Sequence, residues 1–169
     1  AKDLIAYLKR NNFTHVEFMP LNEYPFDGSW GYQCSGYYSA TSRYGTCHDL
    51  MYLINALHKA NIGVIMDYVP VHFVKDDFAL SYFDGTPLYE YEKACDADSQ
   101  WGTANFNLWK EEVRSFLMSA AAFWIDKYHI DGLRMDAISN IIFWHGNKQL
   151  GANEGALDFI RRLNYNLSH

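Results

Sequence analysis

Two short apolar runs in this 169-residue sequence end in charged or polar side chains. Ile62-Gly63-Val64-Ile65-Met66 leads into Asp67-Tyr68-Val69-Pro70-Val71-His72, and a second run, from Ile130, closes with Gly132-Leu133-Arg134-Met135-Asp136. Side chains two apart on a strand share a face, so Arg134 and Asp136 point one way while Leu133 and Met135 point towards covering helices. A guanidinium fork beside a carboxylate keeps it ionised and oriented, which suits a nucleophile better than a general acid. A buried ion pair that merely fixes a sheet has the same spacing. Asp67 either supports Arg134 across the strand gap or caps a turn. Pro70 stops a regular ladder, so His72 is expected on the loop rim, where it donates to a substrate hydroxyl or serves as a structural histidine. Trp30-Gly31-Tyr32 sets two aromatics around a flexible glycine, either a stacking platform or ordinary loop packing. Asp76-Asp77 reads as a solvated turn, and His48, His58 and His145 have no pairing that suggests a metal site.

These residues need elements to hold them. Leu4, Ile5 and Leu8 recur at helical spacing, followed by Lys9 and Arg10 and the turn residues Asn11-Asn12. His15–Met19 reads as a strand ended by Pro20. A long polar and aromatic loop is expected over about 21–45, a length that is uncommon unless functional. Thr46 and Asp49 have capping-box spacing, and Leu50, Leu53, Ile54 and Leu57 form the stripe of the helix they start. The strand at 62–69 precedes roughly 35 irregular residues. A helix over about 110–128 buries Val113, Phe116, Leu117, Ala120, Phe123 and Trp124. A strand at 130–136 and a helix over about 155–167, with Leu157, Ile160, Leu163 and Leu167 on one side, complete the chain. Alternating helices and strands argue for parallel βαβ units, whose right-handed crossovers place the strand ends and long loops on one side. The rim outside such strand ends is where barrel and open α/β enzymes carry their chemistry. Three strands and 169 residues are too few to close an eight-stranded barrel.

Composition narrows the classes. A hydrophobic fraction of 49% fits one folded domain with a substantial core. The formal charge of −6, without a basic run, argues against nucleic acid as a partner. No apolar run approaches membrane-spanning length and no secretory signal is visible. Cys34, Cys47 and Cys95 have neither a paired framework nor metal-ligand spacing, as in a reducing cytosol, and a cytoplasmic location is expected. Aromatics make up 17% of the chain, and their flat faces suit sugar rings as well as cores. Starting at Ala1 with a helix already under way, the chain reads as cut from something longer.

Taken together, these segments closely resemble the α-amylase family of glycoside hydrolases and transglycosidases. Asp67-Tyr68-Val69-Pro70-Val71-His72 resembles the family's third-strand motif, and Gly132-Leu133-Arg134-Met135-Asp136-Ala137 its fourth. Asn22-Glu23-Tyr24-Pro25-Phe26-Asp27-Gly28-Ser29-Trp30-Gly31-Tyr32-Gln33 looks like the loop after the second strand in the 1,4-α-glucan branching enzymes, as do Asp76–Leu80 and Phe83–Glu90. The resemblance covers essentially the whole chain and implies α/β architecture: a partial TIM (β/α)8 barrel with about three parallel strands, family strands 2 to 4, and four flanking helices. Residues 1–169 are then a single, incomplete catalytic barrel domain, its N-terminal half.

The resemblance also implies roles. Asp136 would be the catalytic nucleophile, Arg134 would orient it, and Asp67 would hold the arginine. His72 would bind a hydroxyl of the transferred glucose, Tyr32 would stack on that sugar, and Trp30 would join the substrate site. The implied partner is an α-glucan, such as glycogen or a starch-like polysaccharide, and the implied reaction is retaining cleavage followed by transfer to a 6-hydroxyl. No cofactor is implied. Many family members place a calcium-ligating Asn where Val71 stands, and a valine side chain cannot ligate a hard cation, so no metal is expected there. The family's acid/base glutamate lies at the fifth strand, beyond His169, and Glu111 and Glu154 match no catalytic motif. The chain alone is therefore expected to be inactive. The alternatives are an α-amylase-like hydrolase and a noncatalytic glucan-binding fragment.

Overall fold

A computed structural model describes residues 1–168. Its centre is a parallel sheet of three strands, β1 (His15–Phe18), β4 (Gly63–Tyr68) and β7 (Gly132–Met135), in the order β1-β4-β7. Between them the chain forms α2 (Cys47–Lys59) and α4 (Glu111–Tyr128), with α1 (Lys2–Arg10) before the sheet and α6 (Glu154–Ser168) after it. This is the partial (β/α)8 barrel that the motifs predict, with the four expected helices in place.

Period two divides the sheet into unlike faces. Val64, Met66 and Tyr68 on β4 are fully buried under helices, where Ile54, Leu57 and Trp124 meet the first two. Tyr68 also donates its hydroxyl to the Leu117 carbonyl of α4 at 2.7 Å, so its polar tip is satisfied within the core. Leu133 and Met135 pack on the same side. Local chemistry sets the helix limits. Thr46 and Asp49 form the predicted capping box of α2, and α4 buries Val113, Leu117, Ala120, Ala121 and Trp124. On α6 the buried line is Ala156, Phe159 and Leu163, rotated from the expected stripe. At Gly155 a Cβ would lie 2.7 Å from the Leu108 carbonyl oxygen, so the helix approaches the chain closely at its start.

The two long connections hold more order than their sequences suggest. Within 21–45, β2 (Asn22–Glu23) and β3 (Gly36–Ala40) pair antiparallel, with an irregular register between Asn22 and Glu23. Between 70 and 110, β5 (His72–Phe73) pairs antiparallel with β6 (Ala104–Asn105), and α3 (Ala94–Ala97) forms one turn. A further short helix, α5 (Ile138–Ile142), follows β7. Asp76 and Asp77 are exposed, as expected of a solvated turn. Among the described residues, no helix is long and apolar enough to cross a membrane.

Candidate active site

Strand register assembles the site. Asp67 and Arg134 are direct partners across β4 and β7, so both project from the inner face at the C-terminal rim. Asp136 follows Arg134 by two residues and takes the same side, its N–H donating to the Tyr68 carbonyl at 2.9 Å. One guanidinium nitrogen, Arg134 Nη1, donates to Asp136 Oδ1 at 2.9 Å and to Asp67 Oδ2 at 3.2 Å. Desolvation pulls the Arg134 pKa down, but the charges of Asp67 and Asp136 outweigh it and the pKa is raised. Among the described residues, no hydrogen bond reaches Asp136 Oδ2, while Asp67 is nearly buried and keeps its Oδ1 without a partner.

Tyr32 enters from the first long connection and donates its hydroxyl to Asp67 Oδ2 at 2.5 Å. Burial, then that bond and the carboxylate's charge, push its pKa up to about 12, so it stays a neutral donor. The preceding turn depends on Gly31, whose φ is +94° and where a Cβ would lie 2.9 Å from the Pro20 carbonyl oxygen. That turn separates its two aromatics. Tyr32 reaches the carboxylates, whereas Trp30, at φ +56° and 70% exposed, lines a separate groove with Leu21, Tyr24, Arg43 and Tyr44.

His72 does not stand on an open rim as its sequence suggests. It lies on β5 and is 3% exposed, because β6 returns beside it and Trp101 covers its ring with centroids 4.9 Å apart. Burial lowers its pKa to about 4, against a smaller opposing contribution from the Tyr32 backbone, and the imidazole is neutral near pH 7. Its Nδ1 is hydrogen-bonded to the Thr103 hydroxyl. Sequence reasoning missed Ser99, Trp101 and Thr103, although Trp101-Gly102-Thr103 repeats the aromatic-glycine pattern of Trp30-Gly31-Tyr32. Val71 is buried in the apolar core. Among the described residues, no group of three or more His, Cys, Asp or Glu could hold a metal.

The strand-end cluster therefore contains two carboxylates with unequal freedom. Asp67, with a side chain 3% exposed, accepts from a tyrosine and an arginine on Oδ2 and keeps Oδ1 buried, while Asp136, 18% exposed, is oriented through Oδ1 with the other oxygen uncommitted. That arrangement can present a carboxylate oxygen to an electrophilic carbon.

Known proteins resemble this chain in sequence and in fold. A family model for the alpha-amylase catalytic domain matches residues 2–86. The chain is 54% identical over 165 residues to a 1,4-alpha-glucan branching enzyme GlgB from Geobacillus stearothermophilus, covering 97% of this chain and 26% of that protein. A GlgB from Fusobacterium nucleatum subsp. nucleatum is 52% identical over 167 residues, covering 99% of this chain and 27% of that protein. This chain thus spans about a quarter of the length of the curated relatives it matches. A noncanonic maltogenic alpha-amylase, AmyB from Thermotoga neapolitana, superposes with a TM-score of 0.74 at 21% identity, covering 99% of this chain and 38% of that one. On its matched family model, and with this fold beneath its motifs, the chain belongs to the alpha-amylase catalytic-domain family.

Proposed function

We propose that these residues are the nucleophile-bearing part of a 1,4-α-glucan branching enzyme, within a single barrel domain. The observation that carries this reading is the shared Arg134 nitrogen, which holds Asp136 at the strand rim and leaves one of its oxygens uncommitted. Asp136 attacks the anomeric carbon of an α-1,4-linked glucose, the bond to the leaving 4-oxygen breaks, and a β-linked glucosyl ester forms. A second carboxyl group gives its proton to the leaving oxygen. It then takes the proton of an acceptor 6-hydroxyl, whose oxygen displaces Asp136 and forms the α-1,6 bond. Asp67 is unsuited to that acid role, because its Oδ2 is taken by Tyr32 and Arg134 and its Oδ1 is buried.

Tyr32 stacks on the transferred sugar, and His72 contacts one of its hydroxyls as Trp101 shifts from the ring. Trp30, on its separate groove, meets the glucan further along. The choice of a 6-hydroxyl over water as acceptor rests on the identity to the branching enzymes. The partner is glycogen or a starch-like glucan and the location is the cytoplasm. By itself the chain is not expected to turn over glucan.

The test uses a polypeptide of the relatives' length carrying this sequence, incubated with amylose. New α-1,6 linkages are expected, and rapid quenching should recover a glucosylated peptide containing Asp136. Reducing ends without branches would make it a hydrolase, and glucan binding with neither product would make it a binding module.

A further inference from the structure

A chain of hydroxyls leads from the 98–105 loop to His72, and the direction of each bond in it can be worked out. Ser99 Oγ accepts from two backbone N–H groups, those of Trp101 at 3.1 Å and Thr103 at 3.2 Å. A hydroxyl has two acceptor lone pairs and one proton, so Ser99 is left with only its proton to offer. The polar atom in reach is Thr103 Oγ1 at 2.5 Å. Thr103 thus accepts from Ser99 and directs its own proton to its other partner, His72 Nδ1. Thr103 is 2% exposed, so water is not a competing acceptor. A neutral imidazole that accepts at Nδ1 carries its hydrogen on Nε2. Burial lowers the ring's pKa and keeps it neutral, so it carries a single hydrogen. Gln33 Nε2 donates to the Trp101 carbonyl at 3.3 Å, tying this loop to the segment that bears Tyr32.

We infer that Ser99 and Thr103 are positioning residues that lock His72 as the Nε2–H tautomer, so that it meets a sugar only as a hydrogen-bond donor to a hydroxyl oxygen. The assignment of the sugar rests on the reading of His72 given above, whereas the tautomer stands on the hydrogen bonds alone. Neither residue touches the reacting atoms. Thr103 acts through the histidine, and Ser99 acts through Thr103.

Nuclear magnetic resonance of the full chain labelled on histidine nitrogen separates the two tautomers. Near pH 7, His72 is expected to show a protonated Nε2 and an unprotonated Nδ1. Thr103→Val keeps the side-chain shape but removes the donor, and should convert His72 to a mixture or to the Nδ1–H form. Thr103→Ser should restore the original signals. In a polypeptide of the relatives' length, Thr103→Val should weaken maltooligosaccharide binding about fivefold, the worth of one hydrogen bond. That loss should vanish when His72→Asn is already present. An Nδ1–H signal in the unaltered protein, or a tautomer indifferent to Thr103→Val, overturns the relay. If His72→Asn leaves affinity unchanged while the tautomer follows Thr103, the relay holds and the sugar contact is what fails.

Discussion

Two aspartates bracket the same strand and show what each end of it is for. Asp131, just before β7, accepts the Val64 N–H at 2.7 Å and His58 Nε2 at 2.8 Å, both on its Oδ2. Burial opposes its ionisation, yet those two hydrogen bonds outweigh burial and its pKa is lowered. Asp136, just after β7, is bonded through Oδ1 alone, to an arginine it shares with Asp67. The first carboxylate seals the start of a strand. Among the described residues, the second accepts from no backbone N–H and so ties no strand in place. This is the division expected of barrel proteins, with stability at the N-terminal face and chemistry at the C-terminal face.

Substitutions can break that contrast. In a polypeptide of the relatives' length, Asp136→Asn should lower branching activity on the order of 10⁴-fold while the urea midpoint stays nearly constant. A change confined to stability, with activity kept, would instead make Asp136 a structural carboxylate like Asp131. The next effect concerns pH at the same end. His72 has a folded pKa of about 4 against an ordinary value near 6.5, so only the unfolded chain takes up its proton as pH falls between them. Stability attached to this group is complete above about pH 6.5 and lost as pH approaches 4, by roughly 3 kcal/mol at most. His72→Asn should flatten that part of the urea-midpoint profile, and an unchanged slope would assign the loss to other groups. Arg134→Lys keeps the charge but not the planar guanidinium whose Nη1 meets both carboxylates, and should cost about 30-fold in kcat. Asp131→Ala should be mildest, about 1 kcal/mol in chemical denaturation with kcat unaffected, because its side chain is 45% exposed.

The same contrast explains what could be read in the sequence. Arg134 and Asp136 were legible because strand periodicity is local, as was the Thr46–Asp49 box that starts α2. Spacing alone left Asp67 between a turn cap and a partner of Arg134, since that question depends on a cross-strand register set by packing 67 residues apart. His72 was misplaced for the same kind of reason. Pro70 correctly ends one ladder, but β6 and Trp101 arrive from some 30 residues later to bury the ring. The pair β2–β3 escaped notice because a two-residue strand with an irregular register offers no alternation to detect. Trp30 and Tyr32 are two residues apart, yet the left-handed backbone at Trp30 and Gly31 sends them to different surfaces.

The sharing of Arg134 has an electrical consequence. Two carboxylates and one guanidinium give the cluster a net charge of minus one before any bond is made. In the proposed reaction the sugar's anomeric carbon passes through a positively charged, oxocarbenium-like state, which that surplus attracts. Once Asp136 is esterified its charge is gone, and Arg134 and Asp67 remain as a balanced pair. The negative charge has by then passed to the second carboxyl group, which is ionised by giving its proton to the leaving oxygen and so is ready to take the acceptor's.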